Sequence, residues 1–479
     1  MFGGLLHLWV FGGAALLLTM IASAAVDTPR GFRLIANEDS RGADITKSCR
    51  VSQYYCANKC RNNTACVGFT WVETGHTTGA QCCYTKSRVQ NPLTPFRAGD
   101  SGYTFARDDA PAPAERSVFV FGDSLSDTGG VYGMWEALGA LGVPEARRVP
   151  LARLGYFEHQ WSNGNTWPLR IKEALPEALK DVEVTSFAMG GATVLPLNLL
   201  DENATGTARP HLATQFATAA AEISAGNMVR GNTSVCIIAA GGNDLSQLNN
   251  PSVIFNAAVN PGAPLVKPGA APTGEQLAQA QQVYVSNVVS TLVKNAFDLA
   301  TSGMCDEVVL WTLPPLHRTP VLITSVTFAV KTAVAALLEV CPPWPTPCGA
   351  PYDGLIEQYA VAGIADAIKG LQAAVVGING GIAQSLAVLA GMSDAPISII
   401  DAYTFFNGIL DDPATYGFTD TTHRCMLSSD ATSTSNASAT LVSTCDNPDT
   451  FVWWDGLHLT AAAHTAVAAE IAAVLQGVL

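Results

Sequence analysis

Val118-Phe119-Val120-Phe121-Gly122-Asp123-Ser124-Leu125-Ser126-Asp127 sets an unbroken apolar run against a polar break led by glycine. Four apolar residues bounded by a turn signal read as a strand buried on both faces, as in parallel sheets covered by helices. Ser124 stands where that strand gives way to a sharp turn. In open α/β sheets ligands gather beyond the carboxyl ends of the strands, so the fold and the chemistry both turn on what the other strands deliver to that edge.

Four more short apolar or β-branched runs follow at 182–187, 235–240, 308–313 and 397–400. Helical pattern lies between them: Val285, Val288, Val289 and Leu292 recur at three and four and place one stripe toward a core. The expectation is an α/β fold, a parallel five-stranded sheet flanked by helices. After the second run comes Ala188-Met189-Gly190-Gly191-Ala192, and after the third Gly241-Gly242-Asn243-Asp244. Far downstream, Trp454-Asp455-Gly456-Leu457-His458 puts an acid and a histidine within one turn. A hydroxyl is a poor nucleophile unless a histidine base, an orienting acid and oxyanion donors accompany it. Ser124, His458 and Asp455 fill the first three places. The Ser124 and Gly191 N–H groups and the Asn243 amide are candidate oxyanion donors, because glycine admits close approach and the amide is a neutral donor. Taken singly, Ser124 and Asp455 could be helix caps, and Gly190-Gly191 and Asn243-Asp244 could be turns. Asp123 and Asp127 read as support for the turn, and His211, His317, His423 and His464 as structural. The Pro/Gly-rich stretch 260–274 is either a lid or a solvated loop.

The 479 residues, 48% hydrophobic and 14% charged, exceed one ordinary domain and suit large cores. Forty acidic against twenty-six basic residues leave a net charge of −14, which disfavours nucleic acid and anionic lipid as partners. Residues 1–26 are apolar around Leu16-Leu17-Leu18 and end in Ala22-Ser23-Ala24, a signal-peptide pattern. The stretch lacks Lys and Arg before its apolar run and is long enough to remain as an anchor, the one route to a membrane. No later segment reads as a second span, since Lys331 and Glu339 interrupt the best candidate at 327–341. Twelve cysteines and sequons at Asn62, Asn203, Asn232 and Asn436 fit a secreted chain.

Six of the cysteines crowd between Cys49 and Cys83, and the Pro/Ala-rich residues 108–116 read as a linker. Residues 27–107 are therefore a small disulfide-rich unit, and 117–479 the α/β domain. A metal site would need Cys82 and Cys83 on one tetrahedral ion beside Cys56 and Cys60, which adjacent residues cannot easily manage, so disulfides are favoured. Cys56-Ala57-Asn58-Lys59-Cys60, Cys66-Val67-Gly68-Phe69-Thr70, Cys82-Cys83-Tyr84-Thr85-Lys86 and Tyr103-Thr104-Phe105 resemble a PAN/Apple module, an α+β fold with a helix against a curved antiparallel sheet. The resemblance implies a Cys60–Cys66 pair, Cys56 joined to Cys82 or Cys83, and a glycan or protein ligand; it leaves Cys49 open. Gly99-Asp100-Ser101-Gly102 imitates a protease nucleophile segment, but the one upstream histidine near it is His76 in the same small unit, so Ser101 reads as a turn serine.

From residue 117 onward the chain resembles the GDSL-type esterases and lipases, or SGNH hydrolases. Ser124, Gly191, Asn243 and His458 match the four naming positions. Trp161-Ser162-Asn163-Gly164, Leu313-Pro314-Pro315, Asp412-Pro413 and Cys445-Asp446-Asn447-Pro448-Asp449 agree with the plant and fungal branch. The resemblance implies hydrolysis of carboxylic esters through an acyl-enzyme on Ser124, with no metal or organic cofactor. Leu459 departs from a frequent proline, and Cys341-Pro342-Pro343-Trp344-Pro345-Thr346-Pro347-Cys348 is an added cysteine loop; both bear on the substrate cleft. Cys425 and Cys445 are a further candidate pair, closing a polar loop at 432–438. Two other readings are an acetyl esterase of polysaccharide and a non-catalytic surface recognition or adhesion protein.

Overall fold

Five parallel strands in the order β10-β9-β8-β6-β7 form the central sheet: β6 Arg116–Gly122, β7 Glu183–Ser186, β8 Thr233–Ala239, β9 Glu307–Trp311 and β10 Ile397–Ile400. Each falls on one of the apolar runs. In this computed structural model the described residues are 32–36, 39–40, 42–49, 56–57, 59–60, 63, 65–74, 81–89, 93 and 101–107, and from 116 onward all except 140–148, 198–209, 225–227, 229, 232, 249, 268, 338–349, 391–395 and 430–439. The leader at 1–26, linker residues 108–115, His76, Cys341, Cys348 and the asparagines of the four sequons lie outside them.

Alternation along the strands builds two cores. Val118, Val120, Val235, Ile237, Val309, Trp311 and Ile400 face the helices Trp167–Ala174, Ala402–Asp411 and Ala461–Leu475. Phe119, Phe121, Cys236, Ile238, Val308 and Leu310 face the helices Leu212–Ser224, Gly274–Thr301 and Ala350–Ala390. With both faces covered, the inner strands β6, β8 and β9 are apolar after their first one or two residues, so their runs are unbroken, while the edge strand β7, Glu183-Val184-Thr185-Ser186, is mostly polar. The helix Gly274–Thr301 starts at a capping box, the Thr273 hydroxyl accepting from the Gln276 N–H while the Gln276 side chain accepts from the Thr273 N–H. Val288, Val289 and Leu292 are buried in its core stripe, and Val285 packs against it.

One later segment outside the candidate at 327–341 has the length and composition of a span. Residues 360–390 form a helix long and apolar enough, by length and composition, to cross a membrane. Its stripe Val375, Ile378, Ile382 and Leu386 enters the core of the α/β unit.

Contacts divide the chain into two compact units, one drawn from residues before Ala112, the other holding Ala112–Leu479. The first contains an antiparallel sheet ordered β1-β5-β3-β4-β2, with β1 Phe32–Ala36, β2 Asp44–Cys49, β3 Gly68–Thr74, β4 Cys82–Lys86 and β5 Ser101–Arg107. Phe69 packs between Phe32 and Phe105, at centroid distances of 5.1 and 4.9 Å. Successive residues of a strand point to opposite faces, so Cys82 and Cys83 take different partners: Cys49–Cys82 and Cys56–Cys83, beside Cys60–Cys66. Ser101 opens β5 opposite Thr74, at the end of an interior strand of this sheet, and His76 lies outside the described residues.

In the second unit the structure adds a pair that the sequence reading left unassigned, Cys236–Cys305, inside the core between β8 and the turn before β9. Cys425–Cys445 brackets a hairpin of β12 Met426–Ser428 and β13 Leu441–Thr444. Next to it β11 Asp420–Arg424 pairs in parallel with β14 Phe451–Trp453. Five disulfides among the described residues fit an oxidising compartment.

Candidate active site

The turn after β6 is built for a buried serine. Gly122 has no room for a Cβ, which would lie 2.2 Å from the Ala239 carbonyl oxygen. Asp123 then caps its own turn, accepting from the Leu125 N–H at 3.1 Å. Burial pushes its carboxyl up to about 6, against the pull of that N–H and of His458. Asp127 closes the turn: its carboxylate accepts from the N–H groups of Gly129, Gly130 and Val131 and, across the sheet edge, of Gly190 at 2.7 Å. Burial raises Asp127 above the usual carboxylate range, opposed by those donors. The nucleophile turn and the Gly190-Gly191 turn are thus held to one carboxylate.

The same edge carries the other donors. Gly191 sits at φ +80, a left-handed conformation in which a side chain would be strained. Gly190 abuts the Trp161 indole so closely that a Cβ would come within 2.3 Å of its nitrogen. Asn243 follows β8 in the short helix Gly242–Leu245, and its amide donates to the Ala192 carbonyl at 2.8 Å, which leaves its second N–H unassigned. Its neighbour Asp244 accepts from the Val194 and Leu195 N–H groups at 2.8 and 3.1 Å, pinning the chain beyond Gly191. Burial lifts the Asp244 carboxyl to about 7.

Residues 124 and 458 meet. The Ser124 hydroxyl lies 2.9 Å from His458 Nε2, and His458 Nδ1 lies 2.6 Å from Asp455 Oδ2. With Nδ1–H donating to the carboxylate, Nε2 accepts from the serine. Ser124 is 7%, His458 2% and Asp455 1% exposed. Asp455 is saturated: Oδ1 accepts from the N–H groups of Leu457 and His458, each at 2.7 Å, and Oδ2 also accepts from the Tyr156 hydroxyl at 2.5 Å. Burial acts to raise its carboxyl, but His458 and these hydrogen bonds outweigh it and hold it down at about 2. Trp161 lies obliquely over the imidazole, ring centroids 4.8 Å apart.

Tyr156 is a partner that sequence reasoning missed, and Trp161, read there only as part of a family block, was given no place over the imidazole. Both come from irregular chain, where neither a period of two nor of 3.6 announces a buried role. Of the remaining histidines, His464 is fully buried, its pKa lowered to about 3 by burial and by Arg170 and His458, and its Nδ1 accepts from the Trp167 N–H. His211 and His317 are both lowered by burial, His317 also by Arg318, and His423 pairs with Asp420 in an exposed strand. Among the described residues no cluster of three His, Cys, Asp or Glu side chains could hold a metal ion.

Comparison with known proteins agrees with the family that the motifs suggested. A GDSL esterase/lipase of Arabidopsis thaliana is 37% identical over 79 residues, 16% of this chain and 21% of that protein, so the match spans about a fifth of the relative's length. The structure of a family two carbohydrate esterase from Cellvibrio japonicus aligns over 94% of this chain and 95% of its own at 12% identity, with a TM-score of 0.30, too loose to carry an argument. The model of the GDSL-like lipase/acylhydrolase family matches residues 118–471, from β6 into the last helix and through every residue of the site, and the chain belongs to that family.

Proposed function

We propose that this chain is a serine hydrolase of carboxylic esters, with Ser124 as nucleophile, His458 as general base and acid, and Asp455 as its orienting carboxylate. The observation that carries the reading is the unbroken line from Ser124 through His458 to Asp455, at 2.9 and 2.6 Å. His458 accepts the hydroxyl proton as Ser124 attacks the ester carbonyl. Asp455, held ionised by its four donors, keeps the imidazole in the required tautomer and stabilises the imidazolium. The Ser124 and Gly191 N–H groups and the free Asn243 N–H stabilise the oxyanion of the tetrahedral intermediate. His458 then protonates the departing alcohol, and water, activated by the same imidazole, releases the acid.

The apolar leader and the cysteine content favour an extracellular setting, with the disulfide-rich unit as a PAN/Apple-like module that binds glycan or protein. Purified protein should hydrolyse p-nitrophenyl acetate and butyrate, and Ser124→Ala should lose at least about 10³-fold in kcat. Equal rates in the two proteins would refute the assignment. Faster turnover of acetylated xylan than of any simple ester would instead favour the polysaccharide acetyl esterase.

A further inference from the structure

Trp161 packs against His458 without a polar contact to it. Its ring centroid stands 4.8 Å from that of the imidazole, with the planes 31° apart. The indole also packs against the turn that carries Gly191, since a Cβ on Gly190 would come within 2.3 Å of its nitrogen. The indole N–H has no hydrogen-bond partner among the described residues. Hydrogen bonding therefore does not account for a tryptophan at this position, which leaves the electron-rich face of its ring. Resting on the serine-hydrolase reading, we propose that Trp161 is a positioning residue that acts through His458: by cation–π attraction its ring stabilises the imidazolium formed as Ser124 gives up its proton.

An indole attracts a cation that lies within about 6 Å of its ring centroid, and most strongly away from water. Both conditions hold, since Trp161 is 5% and His458 2% exposed. The imidazole is neutral before the attack and charged during it, so the attraction is greater in the transition state than in the ground state, which is the condition for raising the rate. The ring is also held in place beforehand. The Ser162 hydroxyl donates to the Leu459 carbonyl at 2.9 Å and the Ala461 N–H to the Asn163 side-chain oxygen at 2.8 Å, tying the chain after Trp161 to the chain after His458. Tyr156 meets the indole edge to face at 5.8 Å, and Met426 and Trp454 share the core in which it is buried. Titratable groups act on the same imidazole from several elements. Asp455 on its own loop and Asp123 on the turn after β6 favour the imidazolium, while His464 on the last helix is kept neutral by burial and by Arg170. Tyr156 and, beyond it, Arg424 reach the imidazole through Asp455. None of these groups changes when the Trp161 ring alone is altered.

The test replaces Trp161 by tryptophans that carry increasing numbers of ring fluorines, which weaken the π face at nearly constant shape, and includes Trp161→Phe. The readout is kcat/KM for p-nitrophenyl butyrate across the acid limb and the alkaline plateau of the pH profile. On the plateau kcat/KM should fall step by step with fluorination, to at least about fivefold below wild type for the fully fluorinated ring. A weaker hold on the imidazolium also moves the acid limb to lower pH, so the deficit should shrink on the acid side. A loss of packing alone would lower the whole profile and leave the limb in place, and that result would overturn the proposal. A plateau and a limb unmoved across the fluorinated series, with hydrolysis that is lost in Ser124→Ala, would overturn the role of Trp161 and leave the serine hydrolase standing. Hydrolysis that persists in Ser124→Ala, or is absent from the wild-type protein, would overturn both. If Trp161→Phe fails to fold, the fluorinated series, which keeps the indole, decides alone.

Discussion

The Tyr156 hydroxyl is the part of the site whose removal speaks most directly to how Asp455 works. It shares Oδ2 with His458 and so draws charge away from the bond to the imidazole. In Tyr156→Phe the carboxylate keeps His458 but loses a competing donor, so it favours the imidazolium more strongly. The acid limb of the kcat/KM profile should move to higher pH by roughly half a pH unit or more, with the protein still folded; an unmoved limb would reduce Tyr156 to packing. Asp244 gives a second, thermodynamic handle. Its carboxyl, lifted by burial to about 7 from 3.8, keeps a proton in the folded chain that the unfolded chain releases. Between about pH 4 and 7 the folded state therefore binds more protons, and stability falls as pH rises. Asp244→Asn should flatten that slope by on the order of 2–4 kcal/mol, read from melting curves across pH 4–8. An identical slope in both proteins would show that Asp244 is already ionised when folded.

The hairpin of β12 and β13 supports the loop that holds Asp455 and His458. The Cys425 N–H donates to the Trp453 carbonyl at 2.9 Å and the Met426 N–H to the Trp454 carbonyl at 2.7 Å, while the Trp454 N–H donates to the His458 carbonyl at 2.8 Å. The Cys425–Cys445 bond closes a span of 20 residues, for which chain entropy predicts about 3 kcal/mol. The double variant Cys425→Ser/Cys445→Ser should lower the melting temperature and lose more activity than the drop in folded fraction explains; activity that tracks folded fraction alone would contradict this supporting role. These elements also show what a sequence exposes. The three inner strands were legible because burial on both faces forces unbroken apolar runs, and Ser124, Gly191, Asn243, Asp455 and His458 because each stands at a break after a strand or on a short motif. Cys236–Cys305 was hidden: Cys236 reads as one more core residue of β8, and only the register that sets it opposite Val308 brings it near Cys305. Tyr156 was hidden because its aim depends on how an irregular stretch packs against Trp161, Met426 and Trp454.

Two separate cores, one on each face of a single parallel sheet, let a chain of this length bring together groups 334 residues apart. The sheet carries Ser124 on the turn that follows the inner strand β6; the loop before the last helix carries His458 to the same edge. Ser124, His458 and Asp455 all belong to the α/β unit. The chemistry proposed for this unit requires that the imidazole of residue 458 activates the hydroxyl of residue 124. A fluorophosphonate probe applied to the wild-type protein and to His458→Ala, followed by peptide mapping of the adduct, measures this most directly. The account predicts a single adduct on Ser124 in the wild type and a rate at least about 10³-fold lower in His458→Ala. An adduct on another residue, or labelling of Ser124 that is unchanged without His458, would contradict it.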